Sequence, residues 1–182
     1  MIFVRIIYAL WLIQTVYLTV AAFSARRDTR PHLGQSFGLL FALIGAWLLP
    51  RLRPFRFVNF APINGVISLL GVLVCAASMA MQVWARQTLG QNWSQTVSAK
   101  EGHQVITSGP YRLVLHPIYA AGLVACIASA IVAGGPFVFA TLTVGPIFLW
   151  RVGAEDALMT RQFPNEYPAY KRRTKALIPF VW

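Results

Sequence analysis

Two short stretches of the sequence hold most of the side chains that could take part in chemistry. Residues 109–123 read GPYRLVLHPIYAAGL and place Tyr111, His116 and Tyr119 before or at the start of an apolar run. Residues 151–156 read RVGAED and carry one arginine and two carboxylates just after another apolar run. Imidazole, phenol, guanidinium and carboxylate groups bind charged, water-soluble ligands, and here they lie beside segments that suit a lipid bilayer.

The spacing of these residues suggests how they are held. Arg151 and Glu155 are four residues apart, so on a helix they share one face and can form an ion pair. Pro117 is expected in the first turn of a helix, where its missing N–H would have no partner anyway. His116 then lies at the positive end of that helix, which favours an anionic group. An ion pair at the membrane exit and an interfacial aromatic belt would explain the same residues structurally.

The composition indicates an integral membrane protein. Of the 182 residues, 57% are hydrophobic and only 12% are charged, whereas a soluble domain needs more charged surface. The net charge of +11 would suggest nucleic acid in a soluble protein. Here the basic residues lie between the apolar runs, so we expect membrane lipids as their neighbours and no nucleic-acid partner.

Neither the cysteines nor the histidines follow a metal-binding pattern. Cys75 and Cys126 lie singly in apolar segments without a CxxC partner. His32 belongs to a different loop from His103 and His116, and no ligand spacing recurs. The sequence also lacks a Gly-x-Gly-x-x-Gly turn and an alternating strand–helix pattern, which excludes a soluble Rossmann domain.

Five apolar segments are long enough, or nearly so, to cross a bilayer as helices. Each crossing takes about 20 residues, because every backbone polar group must be satisfied within the segment. The segments are about 2–23, 34–50, 61–85, 117–133 and 136–150. The expected fold is therefore all-α: one domain over residues 1–182, a bundle of about five transmembrane helices with a pocket loop at 86–116 and a cytosolic helical tail at 151–182.

The distribution of Lys and Arg predicts the orientation. Five crossings place residues 24–33, 86–116 and 151–182 on one side, which carries twelve of the 16 basic residues. The positive-inside rule puts this side in the cytoplasm and the N-terminus outside. The loop and the tail then share one membrane face, where their polar side chains can form a single pocket.

The C-terminal stretch predicts one further short helix. Asn165 can cap a helix that begins at Glu166, with Pro168 tolerated in its first turn. Tyr167 and Tyr170 would share one side of it, either closing over a pocket or packing the tail on the membrane. The basic residues expected to contact lipid phosphates are Lys171, Arg172, Arg173 and Lys175.

The C-terminal half also matches a family pattern. It reads LGQNWSQTVSAKEGHQVITSGPYRLVLHPIYAAGL from position 89 and RVGAEDALMTRQFPNEYPAYKRRTKALIPFVW from position 151. It resembles the isoprenylcysteine carboxyl methyltransferase family and its phospholipid methyltransferase relatives. Their pattern is His-x-Leu-Val-x-x-Gly-x-Tyr, Arg-His-Pro-x-Tyr, Arg-x-x-x-Glu-Glu and Phe-Gly-x-x-Tyr-x-x-Tyr. The residues in register are His103, Gly109, Tyr111, His116, Pro117, Tyr119, Arg151, Glu155, Phe163, Tyr167 and Tyr170.

Three positions depart from the pattern. Leu115 stands where the family usually has arginine, so any role of that arginine in holding the acceptor substrate is not carried over to this chain. Asp156 replaces the second glutamate, keeping the charge on a side chain one methylene shorter. Pro164 replaces the glycine and still breaks the helix.

The resemblance implies S-adenosylmethionine as methyl donor and a lipophilic acceptor reached from the bilayer. The acceptor would be an isoprenylcysteine-like carboxylate or thiol, or a lipid amine. Arg151, Glu155 and Asp156 are the implied catalytic residues. The implied donor-binding residues are His103, Gly109, Tyr111, His116, Pro117, Tyr119, Glu155, Tyr167 and Tyr170.

The methyl donor has three kinds of group that these side chains could bind. Glu155 and Asp156 suit its ammonium or its ribose hydroxyls. His103, His116 and backbone amides before the fourth helix suit its carboxylate, and the aromatic side chains, Trp93 included, suit its adenine. Two other classes stay open: a non-catalytic membrane binding protein of the same fold, and a membrane NADPH-dependent reductase.

Overall fold

The computed structural model describes residues 2–23, 64–90 and 105–178. The predicted crossing at 34–50 lies outside these residues, as do Trp93 and His103. The described helices are α1 (Ile2–Phe23), α2 (Gly65–Leu89), a 3₁₀ turn (Gly109–Arg112), α3 (Pro117–Ala133), α4 (Gly135–Gln162) and α5 (Glu166–Arg173).

Three of these helices are long and apolar enough to cross a membrane: Ile2–Ala21 within α1, Gly65–Leu89, and Gly135–Gln162. The fourth apolar helix, α3, is shorter. Large apolar side chains such as Leu12, Leu69 and Leu142 lie exposed on the outer surfaces of α1, α2 and α4. Exposed apolar surface of this extent suits contact with lipid tails, in agreement with the predicted all-α membrane bundle.

The helices pack through small residues and a mixed core. The most extensive contact is between α2 and α3. The core that α2 and α3 share with α1 and the start of α4 contains Ile7, Val72, Cys75, Met79, Ala125, Ala128 and Phe137. Gly71 permits the closest approach, because a Cβ atom there would lie 2.4 Å from Cγ2 of Val132 on α3. Small residues at such contacts are typical of helix pairs in membranes.

Polar side chains also join the apolar helices. The indole N–H of Trp11 on α1 donates to Ser129 Oγ on α3 at 2.9 Å. Gln14 on α1 donates to Gln82 on α2 at 2.7 Å, and Gln82 donates in turn to the Ile118 carbonyl at 3.3 Å. Such bonds between membrane helices contribute about 0.6 kcal/mol on average. They join α1 to α3 near its C-terminal end and, through Gln82 of α2, to its first turn.

The last two apolar segments form a tight helical hairpin. α3 ends at Ala133, α4 begins at Gly135, and Gly134 between them has φ 72°, a value that favours glycine. α4 does not end near 150, however, but continues through Pro146 to Gln162. Residues 151–162 are polar yet mostly good helix formers, so the loss of apolar character at 150 does not mark the end of the helix.

The tail helix begins where the sequence predicted, but for a different reason. α5 starts at Glu166, and the Asn165 side chain makes no capping hydrogen bond. Asn165 has helical backbone angles (φ −98°, ψ −44°), whereas a capping side chain needs an extended residue. The Tyr167 N–H instead donates to the Phe163 carbonyl at 3.1 Å.

The chain beyond α5 returns to the segment just before α3. Val114 and Lys175 form a parallel β-bridge. The Leu115 N–H donates to the Lys175 carbonyl at 2.8 Å, and the His116 N–H donates to the Ala176 carbonyl at 3.0 Å. The loop and the tail are therefore joined by main-chain hydrogen bonds, as a single pocket formed by both requires.

The Gly71 contact gives a test of the packing. Gly71→Ala should lower the thermal unfolding midpoint in detergent micelles, because the new methyl group would clash with Val132. The β-branched side chain of Val132 has one favoured rotamer, so it cannot easily turn away. Overpacking of this kind costs about 1–3 kcal/mol. Gly153→Ala is the matched control, because a Cβ at Gly153 meets nothing within 4 Å. Equal midpoints for both variants would contradict the close approach of α2 and α3.

Candidate functional site

His116 lies between two carboxylates of α4. Its ring is buried, with Nε2 2.8 Å from Asp156 Oδ1 and Nδ1 3.5 Å from Glu155 Oε2. Glu155 and Asp156 are consecutive, so their side chains leave the helix about 100° apart and reach the ring at different nitrogens. His116 precedes Pro117 at the start of α3. This contact therefore joins the beginning of α3 to the polar part of α4.

Asp156 receives three donors in all. Besides His116, the Tyr167 hydroxyl donates to Oδ1 at 2.5 Å and the Lys171 ammonium donates to Oδ2. Tyr167 and Lys171 are four residues apart and share a face of α5. Lys171 is thus part of the site, a contact that the sequence analysis did not predict for this residue. The available signal was its spacing from Tyr167.

Glu155 belongs to a second set of contacts, which is more exposed to solvent than the contacts of Asp156. The Tyr119 hydroxyl donates to Glu155 Oε1, and Arg151 Nε donates to the Tyr119 hydroxyl oxygen at 2.9 Å. The predicted ion pair forms at 3.7 Å between an Arg151 terminal nitrogen and Glu155. The Glu155 side chain is 26% exposed and that of Asp156 only 12%. Of the two carboxylates, Glu155 is the more accessible to a ligand.

The 3₁₀ turn and α5 close one side of the cluster. The Tyr170 hydroxyl donates to the Tyr111 carbonyl. Gly109 opens the turn with φ 57°, and a Cβ there would lie 3.0 Å from Thr88 Oγ1 on α2, so this position requires glycine. The buried apolar cluster beneath the turn contains Ala85, Tyr111, Leu115, Tyr167 and Tyr170.

The sequence of this chain matches a known protein family. The sequence profile of the isoprenylcysteine carboxyl methyltransferase (ICMT) family matches residues 69–161. The chain belongs to this family. The match covers α3, the Arg151–Asp156 segment and most of α2, so it includes the residues that form the contacts on His116.

Similar proteins and structures agree with this assignment. A probable protein-S-isoprenylcysteine O-methyltransferase of Oryza sativa subsp. indica is 25% identical over 178 residues, covering 91% of this chain and 88% of the relative. The protein-S-isoprenylcysteine O-methyltransferase of Homo sapiens is 26% identical over 153 residues, covering 82% of this chain and 54% of the relative. The chain therefore spans about half the length of the human relative.

The fold also resembles a solved structure of the family. The eukaryotic intramembrane Ras methyltransferase ICMT superposes with a TM-score of 0.57 at 19% identity, over 84% of this chain and 55% of that chain. The predicted family, its methyltransferase class and the integral membrane fold are confirmed.

The departure from the family pattern at Leu115 has a structural counterpart. Leu115 is 5% exposed and packs in the apolar cluster with Tyr111 and Tyr170. Its N–H and that of His116 donate to carbonyls of the tail. These two amides are therefore engaged, and the hypothesis that amides here meet a donor carboxylate does not hold for them.

The surroundings of the site set the protonation of its groups. Burial lowers the pKa of His116, but hydrogen bonds to Asp156 and Glu155 more than offset this, so the pKa lies above its usual value of 6.5. Burial raises the pKa of Tyr111, Tyr167 and Tyr170 above 10.0. The imidazole therefore keeps its second proton to a higher pH than an ordinary histidine does, and the three phenols stay protonated at neutral pH, so each can donate a hydrogen bond.

The raised pKa of His116 predicts a pH-dependent stability. Stabilisation by the protonated ring is complete below the ordinary pKa of 6.5 and is lost as the pH rises through the higher pKa of the folded protein. Thermal midpoints measured from about pH 5 to about pH 8 should therefore fall toward high pH more for the wild type than for His116→Gln. The same pH dependence in both proteins would contradict a stabilising imidazolium.

Proposed function

We propose that this chain transfers a methyl group from S-adenosylmethionine to a lipophilic carboxylate, using the cluster where α3, α4 and α5 meet. The observation that carries the proposal is the contact of His116 with Glu155 and Asp156. It collects the implied catalytic and donor-binding groups of two distant stretches at one place. Family membership supports the methyltransferase over a reductase or a non-catalytic binding protein.

Glu155 is the side chain that we assign to the donor's ammonium or ribose hydroxyls. It is the more accessible carboxylate of the pair and is already oriented by Tyr119 and Arg151. Asp156 is instead occupied by His116, Tyr167 and Lys171. We therefore treat Asp156 as a positioning residue that holds the imidazole and α5 in place, a narrower role than the catalytic one implied by the resemblance.

The chemistry of the cluster favours an acceptor that arrives already ionised. Both ring nitrogens of His116 face carboxylates, and raised pKa values keep the phenols of Tyr111, Tyr167 and Tyr170 protonated. A thiol or an amine needs a base to remove its proton, whereas a carboxylate is ionised at neutral pH. Arg151 is the cation that would orient it.

The reaction then needs no proton transfer. A carboxylate oxygen attacks the methyl carbon in line, a C–O bond forms as the C–S bond of the sulfonium breaks, and the products are a methyl ester and S-adenosylhomocysteine. The protein's task is to align the two reactants and exclude water. This outcome agrees with the names of the relatives, which are O-methyltransferases of protein-S-isoprenylcysteine.

The same proposal places the cluster at the cytosolic membrane face. The distribution of Lys and Arg supports that orientation. The exposed apolar surfaces of α2 and α4 would let an isoprenyl chain approach from the bilayer, while the donor enters from water.

Glu155→Gln tests the assignment of the donor site. Calorimetric titration of the purified protein should show S-adenosylhomocysteine binding weakened about tenfold to a hundredfold, the usual loss for a hydrogen bond to a charged group. Transfer of a labelled methyl group to a farnesylated cysteine should fall as well. Glu166→Gln makes the same change on an exposed side chain and should leave both unchanged. Saturable binding of NADPH with no binding of S-adenosylhomocysteine would overturn the proposal.

A further inference from the structure

The tail carries three basic side chains that the cluster around His116 does not use. Arg172, Arg173 and Lys175 are exposed, and none of them forms an ion pair with another residue of the described ranges. Lys171, by contrast, binds Asp156. We call these three residues the basic tail surface. Cations grouped in this way attract an anionic partner.

The opposite side of the tail holds it against the rest of the protein. The buried residues of the tail are Tyr167, Tyr170, Thr174 and Leu177. They recur every three or four positions, which is the spacing of a single buried face. The positions of the basic tail surface fall between them and therefore point away from the protein. The packing of the tail thus presents these cations to whatever lies outside.

Exposed apolar side chains accompany the basic tail surface. Ile178 is 53% exposed, and Leu113, just before the β-bridge of Val114 with Lys175, is 52% exposed. The bridge is parallel, so the tail runs there in the same direction as residues 114–116, toward the start of α3. Basic residues next to exposed leucine or isoleucine are typical of segments that lie in a membrane interface.

The start of α3 brings this region close to the bilayer. α3 begins at Pro117, four residues after Leu113, and four residues span at most about 14 Å. The outer surface of α3 carries exposed Val124 and Ile127, which suit lipid tails. Leu113 and Ile178 therefore continue an apolar surface that meets lipid. This continuity favours lipid headgroups over an acidic protein as the partner of the cations.

We propose that the basic tail surface binds the phosphates of anionic phospholipids, while Leu113 and Ile178 enter the apolar layer beneath the headgroups. Each basic side chain near an anionic membrane surface strengthens the attraction about fivefold, and salt weakens it by screening. The flexible stems of arginine and lysine let their charged ends reach the phosphates. This surface is separate from the contacts of His116, so its role does not depend on the proposed function.

A lipid titration tests the surface. Delipidated protein in detergent micelles should gain thermal stability when dioleoylphosphatidylglycerol is added, because a ligand that binds only the folded state stabilises it. Dioleoylphosphatidylcholine should give a smaller gain, and added salt should reduce the difference. Arg173→Gln should weaken the apparent affinity for the anionic lipid about fivefold. Arg5→Gln is the matched control, because it removes the same charge from an exposed residue of α1, and it should have a smaller effect.

Two further probes distinguish a lipid headgroup from other anions. Ile178→Ser should weaken the response to the anionic lipid, and inorganic phosphate should give no comparable gain in stability. Equal gains with phosphate and with the lipid would overturn the proposal, as would equal effects of Arg173→Gln and Arg5→Gln. Binding of a polyglutamate peptide without any response to anionic lipid would also overturn it and assign the surface to an acidic protein. None of these results would bear on the binding of S-adenosylhomocysteine.

Discussion

The contact of His116 with two neighbouring carboxylates is the interaction on which the architecture of the site depends. The ring belongs to the start of α3, the carboxylates belong to α4, and the donors that complete Asp156 come from α5. Each carboxylate also has a second cationic partner, which is Lys171 for Asp156 and Arg151 for Glu155. Polar contacts therefore couple the three elements, and Tyr167 and Tyr170 of α5 add apolar contacts with Tyr111 and Leu115.

The two carboxylates differ in their contacts and in their exposure to solvent. Asp156 uses its oxygens to bind protein donors, whereas Glu155 lies nearer to solvent beside Tyr119 and Arg151. Adjacent positions on a helix suit this division, because their side chains diverge while their backbones stay rigid together. Under the proposed function, the methyl donor would meet Glu155, which Tyr119 and Arg151 already orient. Preorganised groups of this kind do not need to reorganise when the reactants arrive.

Local features of the site were predictable from the sequence, and contacts between distant segments were not. The four-residue spacing predicts the Arg151–Glu155 pair, and apolar length predicts α1, α2 and α3 closely. Hydropathy failed at the end of α4, because it reports the membrane boundary while helix propensity decides where the helix stops. Lys171 resembled its basic neighbours, and only the packing of α5 selects it. The hydrogen bonds of Gln82 between helices could not be predicted either, because a single amide in an apolar segment leaves no periodic pattern.

The β-bridge between Val114 and Lys175 constrains when this site can exist. Chains emerge from the ribosome N-terminal end first, so the apolar helices reach the translocon before residues 175 and 176 have been made. Until then the N–H groups of Leu115 and His116 lack the carbonyls that hold them. The helices therefore insert into the bilayer before the segment ahead of α3 and the tail can join, and the proposed site is completed only after synthesis of the tail.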